Sequence, residues 1–200
     1  MNYAVFQWIN GWAGNSPFLD KVMIGITDSA PYVAVAFMLL LWFSNANREK
    51  AIAKQYTVFY TLLSTALALF SNAVIHLVYY HPRPFITHHV HKLVAHAADS
   101  SFVSDHAVLV FAIAFTMLLR GDRWKNIAFI WAVIVGISRI YVGVHYPADV
   151  IGAAALSWGT SFLVIRLSVK IEPLAQIVFR IYYKLTKRVP VLSKYSHTVR

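Results

Sequence analysis

The chain alternates long apolar runs with short polar segments. Residues 22–43 and 56–80 are each long enough to cross a bilayer as a helix, since the hydrocarbon core is about 30 Å thick. Shorter apolar runs follow at residues 107–119, 127–144 and 150–165. Prolines and charged residues separate the runs, as is usual at helix ends. The pattern predicts an all-α fold, a polytopic membrane helical bundle of about five transmembrane helices.

Helix boundaries follow from capping residues and prolines. Asp28-Ser29-Ala30-Pro31 has the residue types of a helix start, so the first crossing is expected to kink or restart there. The second run stops at His81-Pro82-Arg83-Pro84, because prolines interrupt a helix. The third helix is expected to begin near Ser104, and the fifth to begin near Asp149 after the turn at Tyr146-Pro147.

The two ends of the chain differ from these runs. Residues 1–20 begin with a short aromatic stretch that includes Trp8 and Trp12, and we expect them to lie in the outer interface of the bilayer, where Trp is favoured. Residues 171–200 form a basic cytoplasmic tail, with a predicted helix that opens at Glu172-Pro173. One face of that helix is apolar and consists of Leu174, Ile177, Val178, Ile181, Tyr182 and Leu185. Interfacial helices are therefore predicted at both ends of the chain.

The composition supports one membrane domain. Of the 200 residues, 58% are hydrophobic and 13% are charged, and the mean hydropathy is +0.57. This is too apolar for an ordinary soluble domain, so we predict a single integral membrane domain over residues 1–200. The chain contains no cysteine, which excludes disulfides, thiolate metal sites and cysteine nucleophiles.

The basic residues indicate the orientation in the membrane. They lie mainly in residues 48–54, 120–125 and 166–200, and the positive-inside rule places these segments in the cytoplasm. The N-terminus and residues 81–103 are then outside the cell. The formal charge of +10 fits membrane topology and contact with anionic lipids, so nucleic acid is not expected as a partner.

Polar residues suited to phosphate chemistry gather at the outer helix ends. They form three clusters: Arg83-Pro84, Ser104-Asp105-His106 and Ser138-Arg139-x5-His145-x3-Asp149. Charged groups within apolar sequence are costly and are often functional. Because distant parts of the chain bring these residues to one membrane depth, we expect them to form one site.

Three of these residues are suited to bind a phosphate. Arg83 and Arg139 supply fixed positive charge and fork-shaped donors that match a phosphoryl group. Ser104 adds a hydroxyl at a helix start, where free N–H groups favour an anion. Both arginines lie on the outer side, against the positive-inside bias, which favours a functional role over snorkelling to the interface.

The histidines and an aspartate are suited to break a bond to phosphorus. His145 can attack through one ring nitrogen if Asp149, four residues later, holds the other nitrogen. This attack forms a phosphohistidine, which water then hydrolyses. His106 is suited to protonate the leaving oxygen and then to activate the water. The sequence therefore predicts a membrane-embedded phosphatase that needs no cofactor.

Two other classes of site remain open. Eight of the nine histidines lie between His76 and His145, which makes a zinc site a rival. However, the chain lacks thiolates and an H-E-x-x-H pattern, and a zinc site would leave the arginines unexplained. The second rival is a transporter or binding protein that holds phosphate without cleaving it. Binding alone needs no nucleophile, so the set of His145, Asp149 and His106 favours an enzyme.

The clusters resemble the three signature motifs of the type 2 phosphatidic acid phosphatase superfamily. The matching stretches are His76-x6-Arg83-Pro84, Val103-Ser104-Asp105-His106 and Ser138-Arg139-x5-His145-x3-Asp149. The preceding stretch His96-Ala97-Ala98-Asp99-Ser100-Ser101-Phe102 resembles the bacitracin-resistance branch, the undecaprenyl-diphosphate phosphatases of bacteria. This resemblance implies a metal-independent enzyme in the bacterial cell membrane, with a helical fold and an outward-facing site.

The resemblance also implies a role for each residue. His145 is expected to be the nucleophile, Asp149 its partner and His106 the acid and base. The phosphate is expected to be bound by Arg83, Ser104 and Arg139. Two of the motifs depart from the family pattern, and in the second of them Val103 replaces the usual proline. His76 replaces the usual lysine, so its charge at neutral pH depends on its environment. Asp105 replaces the usual glycine, and its backbone N–H is expected to contribute to the phosphate site.

The predicted reaction removes the terminal phosphate of undecaprenyl diphosphate and yields the monophosphate carrier of cell-wall precursors, which supports bacitracin resistance. A broader lipid phosphatase acting on phosphatidylglycerophosphate or phosphatidate is the alternative, because the motifs do not distinguish lipid tails. The expected partners are a polyprenyl diphosphate substrate and membrane lipids, and the sequence leaves the oligomeric state open.

Overall fold

A computed structural model of the chain describes residues 1–44, 48–186 and 188. Within these ranges every regular element is a helix, so the prediction of an all-α fold is confirmed. The helices are α1 (Asn2–Asn10), α2 (Pro17–Trp42), α3 (Arg48–Val78), α4 (Pro84–Thr87), α5 (Asp105–Leu119), α6 (Lys125–Tyr141), α7 (Pro147–Arg166) and α8 (Ser168–Thr186).

Helix α5 is the centre of the bundle. It packs against α2, α3, α6 and α7, and it is apolar around its whole circumference, as expected of a helix enclosed by others. Ala107, Ala112 and Ala114 are fully buried, and such small side chains let neighbouring backbones approach closely. The helix begins directly after Ser104, as predicted. Because Ser104 is itself buried, the N-terminus of α5 is enclosed by protein.

Three helices within the described residues are long and apolar enough to cross a membrane: α2 over Pro17–Trp42, α3 over Glu49–Val78 and α7 over Pro147–Arg166. The helices α5 and α6 have 15 and 17 residues. At 1.5 Å per residue these lengths correspond to about 22 and 26 Å, less than the bilayer core of about 30 Å. The start of α5 and the end of α6 adjoin buried turns, residues 100–104 and 142–146, and these turns carry much of the candidate site.

Helix α2 does not restart near Asp28, so the expected second helix start at Asp28-Ser29-Ala30-Pro31 is wrong. The helix starts at Pro17, after Ser16, whose hydroxyl accepts a hydrogen bond from the Leu19 backbone N–H at 3.4 Å. It then continues through Pro31 to Trp42. A proline removes one backbone hydrogen bond, and within a membrane bundle the packing of neighbouring helices compensates for this loss.

The N-terminal helix α1 packs onto the bundle through one face. Phe6 is buried against Ile140 and Tyr146. The Asn10 side chain is also buried, and it donates hydrogen bonds to the carbonyl oxygens of His91 and Tyr141, each at 2.8 Å. Residues 17–20 of the predicted interfacial segment instead form the first turn of α2. Helix α1 thus links the loop at His91 to the end of α6 at Tyr141.

The C-terminal helix α8 begins at Ser168, earlier than the predicted start at Glu172-Pro173. Glu172 faces the bundle, where its carboxylate accepts hydrogen bonds from the hydroxyls of Tyr56 and Tyr60. Phe179 is buried, whereas most of the apolar side chains predicted for one face are exposed. Residues 187 and 189–200 of the predicted tail lie outside the described residues.

Candidate active site

His145 lies in the buried turn between α6 and α7. The turn contains Gly143 with a φ of +83°, a conformation that side chains other than glycine rarely adopt. The Nδ1 atom of His145 lies 2.9 Å from the Ser101 carbonyl oxygen, and the Nε2 atom lies 3.0 Å from Nη1 of Arg83. A carbonyl only accepts and a guanidinium only donates. Nδ1 therefore carries the hydrogen, and Nε2 presents its lone pair.

Asp149 supports His145 from the first turn of α7. Its Oδ2 atom lies 3.5 Å from the His145 Nδ1. The same oxygen accepts hydrogen bonds from the Tyr146 backbone N–H, at 2.8 Å, and from the Ser101 hydroxyl. Asp149 is fully buried. Two neighbouring groups thus fix its carboxylate beside the imidazole, which fits the (i, i+4) spacing of the two residues.

The environment keeps His145 neutral. Burial, together with the positive charges of Arg139 and Arg83, holds the pKa of His145 well below its usual range, although Asp149 acts in the opposite direction. A neutral imidazole is the form that has a lone pair for attack. The site therefore offers an unprotonated Nε2 at neutral pH.

Most donors of Arg83 are already in use. Nη1 donates to His145 Nε2 and to the Val144 carbonyl oxygen, each at 3.0 Å. Nη2 donates to the Ser100 carbonyl oxygen at 3.1 Å, and Nε donates to Asp99 Oδ1 at 2.8 Å. This arginine contacts the nitrogen that the sequence analysis assigns as the nucleophile.

Arg139 and Ser104 have unused polar groups. Nη1 of Arg139 donates to the Thr27 hydroxyl at 2.7 Å, whereas its Nε and Nη2 have no hydrogen-bond partner among the described residues. The Ser104 hydroxyl is buried and also has no partner there. Its backbone N–H lies 3.5 Å from the Asp149 carbonyl oxygen. Because unpaired buried donors are costly, these two side chains are suited to receive an anion.

The other predicted site residues lie in the outer turns of α3 and α5. His106 is half-buried in the first turn of α5. Asp105 is exposed, and its Oδ1 atom accepts a hydrogen bond from Nδ2 of Asn72 at 2.6 Å. His76 lies one turn beyond Asn72 on α3, and its buried Nε2 has no partner among the described residues. Helix α3 ends at Val78, so His76 and Arg83 are not joined by one continuous helix.

Four residues that contact the site were missed by the sequence analysis: Ser101 beside Asp149, Asp99 beside Arg83, Thr27 beside Arg139 and Asn72 beside Asp105. The first two lie in the stretch before Ser104. Thr27 and Asn72 are polar residues inside apolar runs, where a buried polar group needs a partner. Burying Thr27 or Asn72 without a partner would be costly, so their presence in apolar runs could have indicated that each binds another polar group.

The described residues contain no group of three histidine, aspartate or glutamate side chains that could hold a metal ion. The described side chains place the lone pair of His145 beside two arginines. A phosphoryl group between Arg139 and His145 would meet donors on one side and a lone pair on the other.

Comparisons with known proteins agree on one family. The model of the PAP2 superfamily matches residues 57–172. The undecaprenyl-diphosphatase BcrC of Bacillus subtilis (strain 168) is 38% identical to the chain over 193 residues, which are 94% of this chain and 97% of that protein.

Two solved structures share the fold. The crystal structure of Aquifex aeolicus LpxE matches with a TM-score of 0.69 and 25% identity, over 82% of this chain and 94% of that chain. The crystal structure of the first transmembrane PAP2 type phosphatidylglycerolphosphate phosphatase from Bacillus subtilis matches with a TM-score of 0.58 and 24% identity. This second match covers 84% of this chain and 87% of that chain.

Proposed function

The chain belongs to the PAP2 superfamily, and from that premise we propose that it hydrolyses undecaprenyl diphosphate to undecaprenyl phosphate and inorganic phosphate. The observation that carries the proposal is the arrangement at His145. Its Nε2 presents a lone pair, its Nδ1 hydrogen is held by a carbonyl oxygen and a carboxylate, and two arginines flank it. The similarity to a relative named undecaprenyl-diphosphatase supports the choice of substrate.

The first chemical step transfers the terminal phosphoryl group to the enzyme. Nε2 of His145 attacks the terminal phosphorus, and the bond between that phosphorus and the bridging oxygen breaks. Undecaprenyl phosphate leaves. The bound diphosphate offsets the charges of Arg139 and Arg83, which together with burial lower the pKa of His106, so that His106 is protonated in the complex and donates a proton to the departing oxygen. Arg83 moves its donor from Nε2 to the phosphoryl oxygens, where Arg139 and Ser104 also donate. Their fixed charges and dipoles stabilise the negative charge of the transition state.

The second step releases phosphate. His106, now neutral, takes a proton from a water molecule as the oxygen of that water attacks the phosphohistidine. The bond between phosphorus and Nε2 breaks, and its electron pair returns to Nε2 of His145. Inorganic phosphate then leaves. Asp149 stabilises the positive charge that the imidazole carries while it is phosphorylated. A phosphate-binding role for His76 and for the Asp105 backbone N–H stays a prediction.

We further propose that the protein is a multi-pass protein of the bacterial cell membrane, with the site on the extracytoplasmic side. The site residues gather at the ends of α5, α6 and α7 that are opposite to Arg120, Arg123 and Lys125. The basic turn is cytoplasmic by the positive-inside rule. The site is then outside, where the diphosphate is left after the carrier has delivered its cargo.

The test is phosphate release from a panel of lipids in the presence of a chelator. Undecaprenyl diphosphate should be hydrolysed faster than phosphatidylglycerophosphate and phosphatidate, and EDTA should not change the rate. If phosphatidylglycerophosphate or phosphatidate is the better substrate, the proposal is contradicted, and the protein is instead a lipid phosphatase of broader specificity.

The nucleophile is tested by His145→Ala, with His89→Ala in the exposed outer loop as the matched control. We expect the first variant to lose activity by at least roughly 1,000-fold and the second to stay within about twofold of wild type. Labelled phosphohistidine should be trapped in wild type and be missing from His145→Ala. Substantial activity in a correctly folded His145→Ala would contradict the mechanism.

A further inference from the structure

One of the two carboxylate oxygens of Asp149 has no hydrogen-bond partner among the described residues. Oδ2 lies beside His145 and accepts hydrogen bonds from the Tyr146 backbone N–H and the Ser101 hydroxyl. The other oxygen, Oδ1, is the unpaired one, and it is buried. Because an unpaired buried carboxylate oxygen costs free energy, Oδ1 is suited to accept one more hydrogen bond.

A second histidine faces this oxygen. The Nδ1 atom of His81 lies 3.8 Å from Oδ1 of Asp149, and it is likewise buried and unpaired in the part of the chain that the structure describes. An N–H···O hydrogen bond is usually about 2.7–3.2 Å long, so a shift of the ring by about 0.8 Å completes one. Since a carboxylate only accepts hydrogen bonds, the hydrogen of this bond is carried by Nδ1 of His81.

The backbone and the ring of His81 are both held in place. Its backbone N–H donates to the Ser100 hydroxyl at 3.2 Å, and its carbonyl oxygen accepts from the Ser101 backbone N–H at 2.7 Å. Its ring is nearly parallel to that of Tyr79, with 6.3 Å between the centroids, and edge-on to that of Tyr146, with 5.4 Å between the centroids. These contacts keep the imidazole beside the carboxylate.

We propose that His81 is a positioning residue, whose Nδ1–H donates to Oδ1 of Asp149 and thereby holds Oδ2 beside His145; the inference rests on the proposed function. A carboxylate that is anchored through one oxygen can turn about its bond to Cβ, whereas donors on both oxygens prevent this rotation. The orientation matters most while His145 is phosphorylated and positively charged, because Asp149 stabilises that charge. His81 thus acts through Asp149 and does not bind the phosphate.

The test separates the hydrogen-bond donor of His81 from its aromatic ring. His81→Asn keeps an N–H donor near the position of Nδ1 but removes the ring. His81→Phe keeps a ring beside Tyr79 and Tyr146 but removes the donor. His81→Leu removes both, and its side chain has the same branched shape as that of asparagine. For each variant kcat and KM are measured with undecaprenyl diphosphate in detergent, and the Tm reports whether the variant is folded.

We expect His81→Phe and His81→Leu to lower kcat by roughly tenfold or more and to leave KM within about twofold of wild type, because His81 does not bind the substrate. His81→Asn should keep kcat within about threefold of wild type. His88 is the matched control, since its ring is exposed and is also edge-on to Tyr146, with 6.4 Å between the centroids. His88→Asn and His88→Phe should both leave kcat within about twofold.

The inference is overturned if His81→Phe has a higher kcat than His81→Asn, since the ring and not the donor would then be what the enzyme needs. Equal kcat values for His81→Asn and His81→Leu overturn it as well, and this comparison replaces the first if His81→Phe does not fold. A higher KM at unchanged kcat also overturns it, because the effect would then be on substrate binding. Failure of the proposed function is a separate result: wild type would release no phosphate from undecaprenyl diphosphate.

Discussion

The protonation of His145 depends on a short loop that precedes α5. The Ser101 carbonyl oxygen takes the Nδ1 hydrogen at 2.9 Å, and the Ser101 hydroxyl donates to Asp149 Oδ2. One residue thus contacts both members of the histidine–aspartate pair. Without these contacts the imidazole could turn or change its tautomer, and Nε2 would then lose its lone pair or its direction.

Ser101→Ala tests this positioning role. The variant keeps the backbone carbonyl but removes the hydroxyl from Asp149, so we expect kcat to fall by roughly 10- to 100-fold with little change in KM. Ser100→Ala is the control, because the Ser100 hydroxyl binds backbone groups of His81 and Tyr79 and not the pair. Equal kcat values for the two variants would contradict a positioning role for Ser101.

In the proposed mechanism, Asp99 competes with phosphate for Arg83. Its Oδ1 lies 2.8 Å from the arginine Nε, and the residue is 56% exposed. Partial burial favours the neutral acid, but the Arg83 guanidinium outweighs this and lowers the pKa of Asp99 below its ordinary value. The carboxylate is therefore ionised throughout the range from pH 5 to pH 8 and repels an incoming phosphate.

Asp99→Asn keeps a hydrogen-bond acceptor for Arg83 but removes the negative charge. We expect inorganic phosphate to inhibit this variant more strongly than wild type, with a Ki lower by about threefold. The ratio of the two Ki values should stay constant from pH 5 to pH 8, since Asp99 does not titrate there. Asp122→Asn, in the turn between α5 and α6, is the control. A Ki for Asp99→Asn that is unchanged or higher would contradict this role.

At the scale of the helices, Gly152 of α7 lets the loop of residues 101–104 pack closely against that helix. A Cβ atom at Gly152 would come within 2.6 Å of the Phe102 ring and 2.8 Å of the Val103 side chain. These two residues connect Ser101 to Ser104. The glycine therefore permits close packing of the loop on α7, and with it the position of both serines.

Gly152→Ala should push this loop away from α7. We expect a loss of stability of about 1–3 kcal/mol from overpacking, seen as a lower Tm, and a clear fall in phosphate release. Gly159→Ala on the same helix is a matched control, because nothing lies within 4 Å of its added Cβ. It should change the Tm and the activity little. If Gly159→Ala impairs the enzyme as much as Gly152→Ala, loop packing is not the cause.

The sequence predicts those parts of the fold that depend on local rules. The start of α5 after Ser104 agrees with the residue preference of helix starts, although the Ser104 hydroxyl makes no capping hydrogen bond, and the placement of Asp149 four residues after His145 follows from helix geometry. The burial of Phe6 and the uninterrupted passage of α2 through Pro31 do not, because both depend on packing between distant helices. The partner of Arg139 is likewise a threonine more than a hundred residues away, which helical periodicity alone does not identify.

On the scale of the whole molecule, charged and aromatic residues differ between the two ends of the bundle. Arg120 and Arg123 lie in the turn between α5 and α6, at the end opposite the site. At the other end Trp8 and Trp12 are 72% and 60% exposed, as suits residues at a membrane interface. Trp is favoured at both interfaces, so the basic turn alone bears on the orientation, and it supports a site outside the cell.

Labelling of single cysteines tests the orientation, and the chain has no cysteine of its own to interfere. His89→Cys lies in the exposed loop on the side of the site, and Glu49→Cys lies at the exposed start of α3 on the opposite side. An impermeant thiol reagent should label position 89 in intact cells and should label position 49 only after the cells are permeabilised, because positively charged segments stay in the cytoplasm. Replacing Glu49 removes a negative charge, so this variant does not weaken the positive-inside signal. Labelling of intact cells at position 49 but not at position 89 would place the site in the cytoplasm, and the substrate would then have to be presented from the inner leaflet.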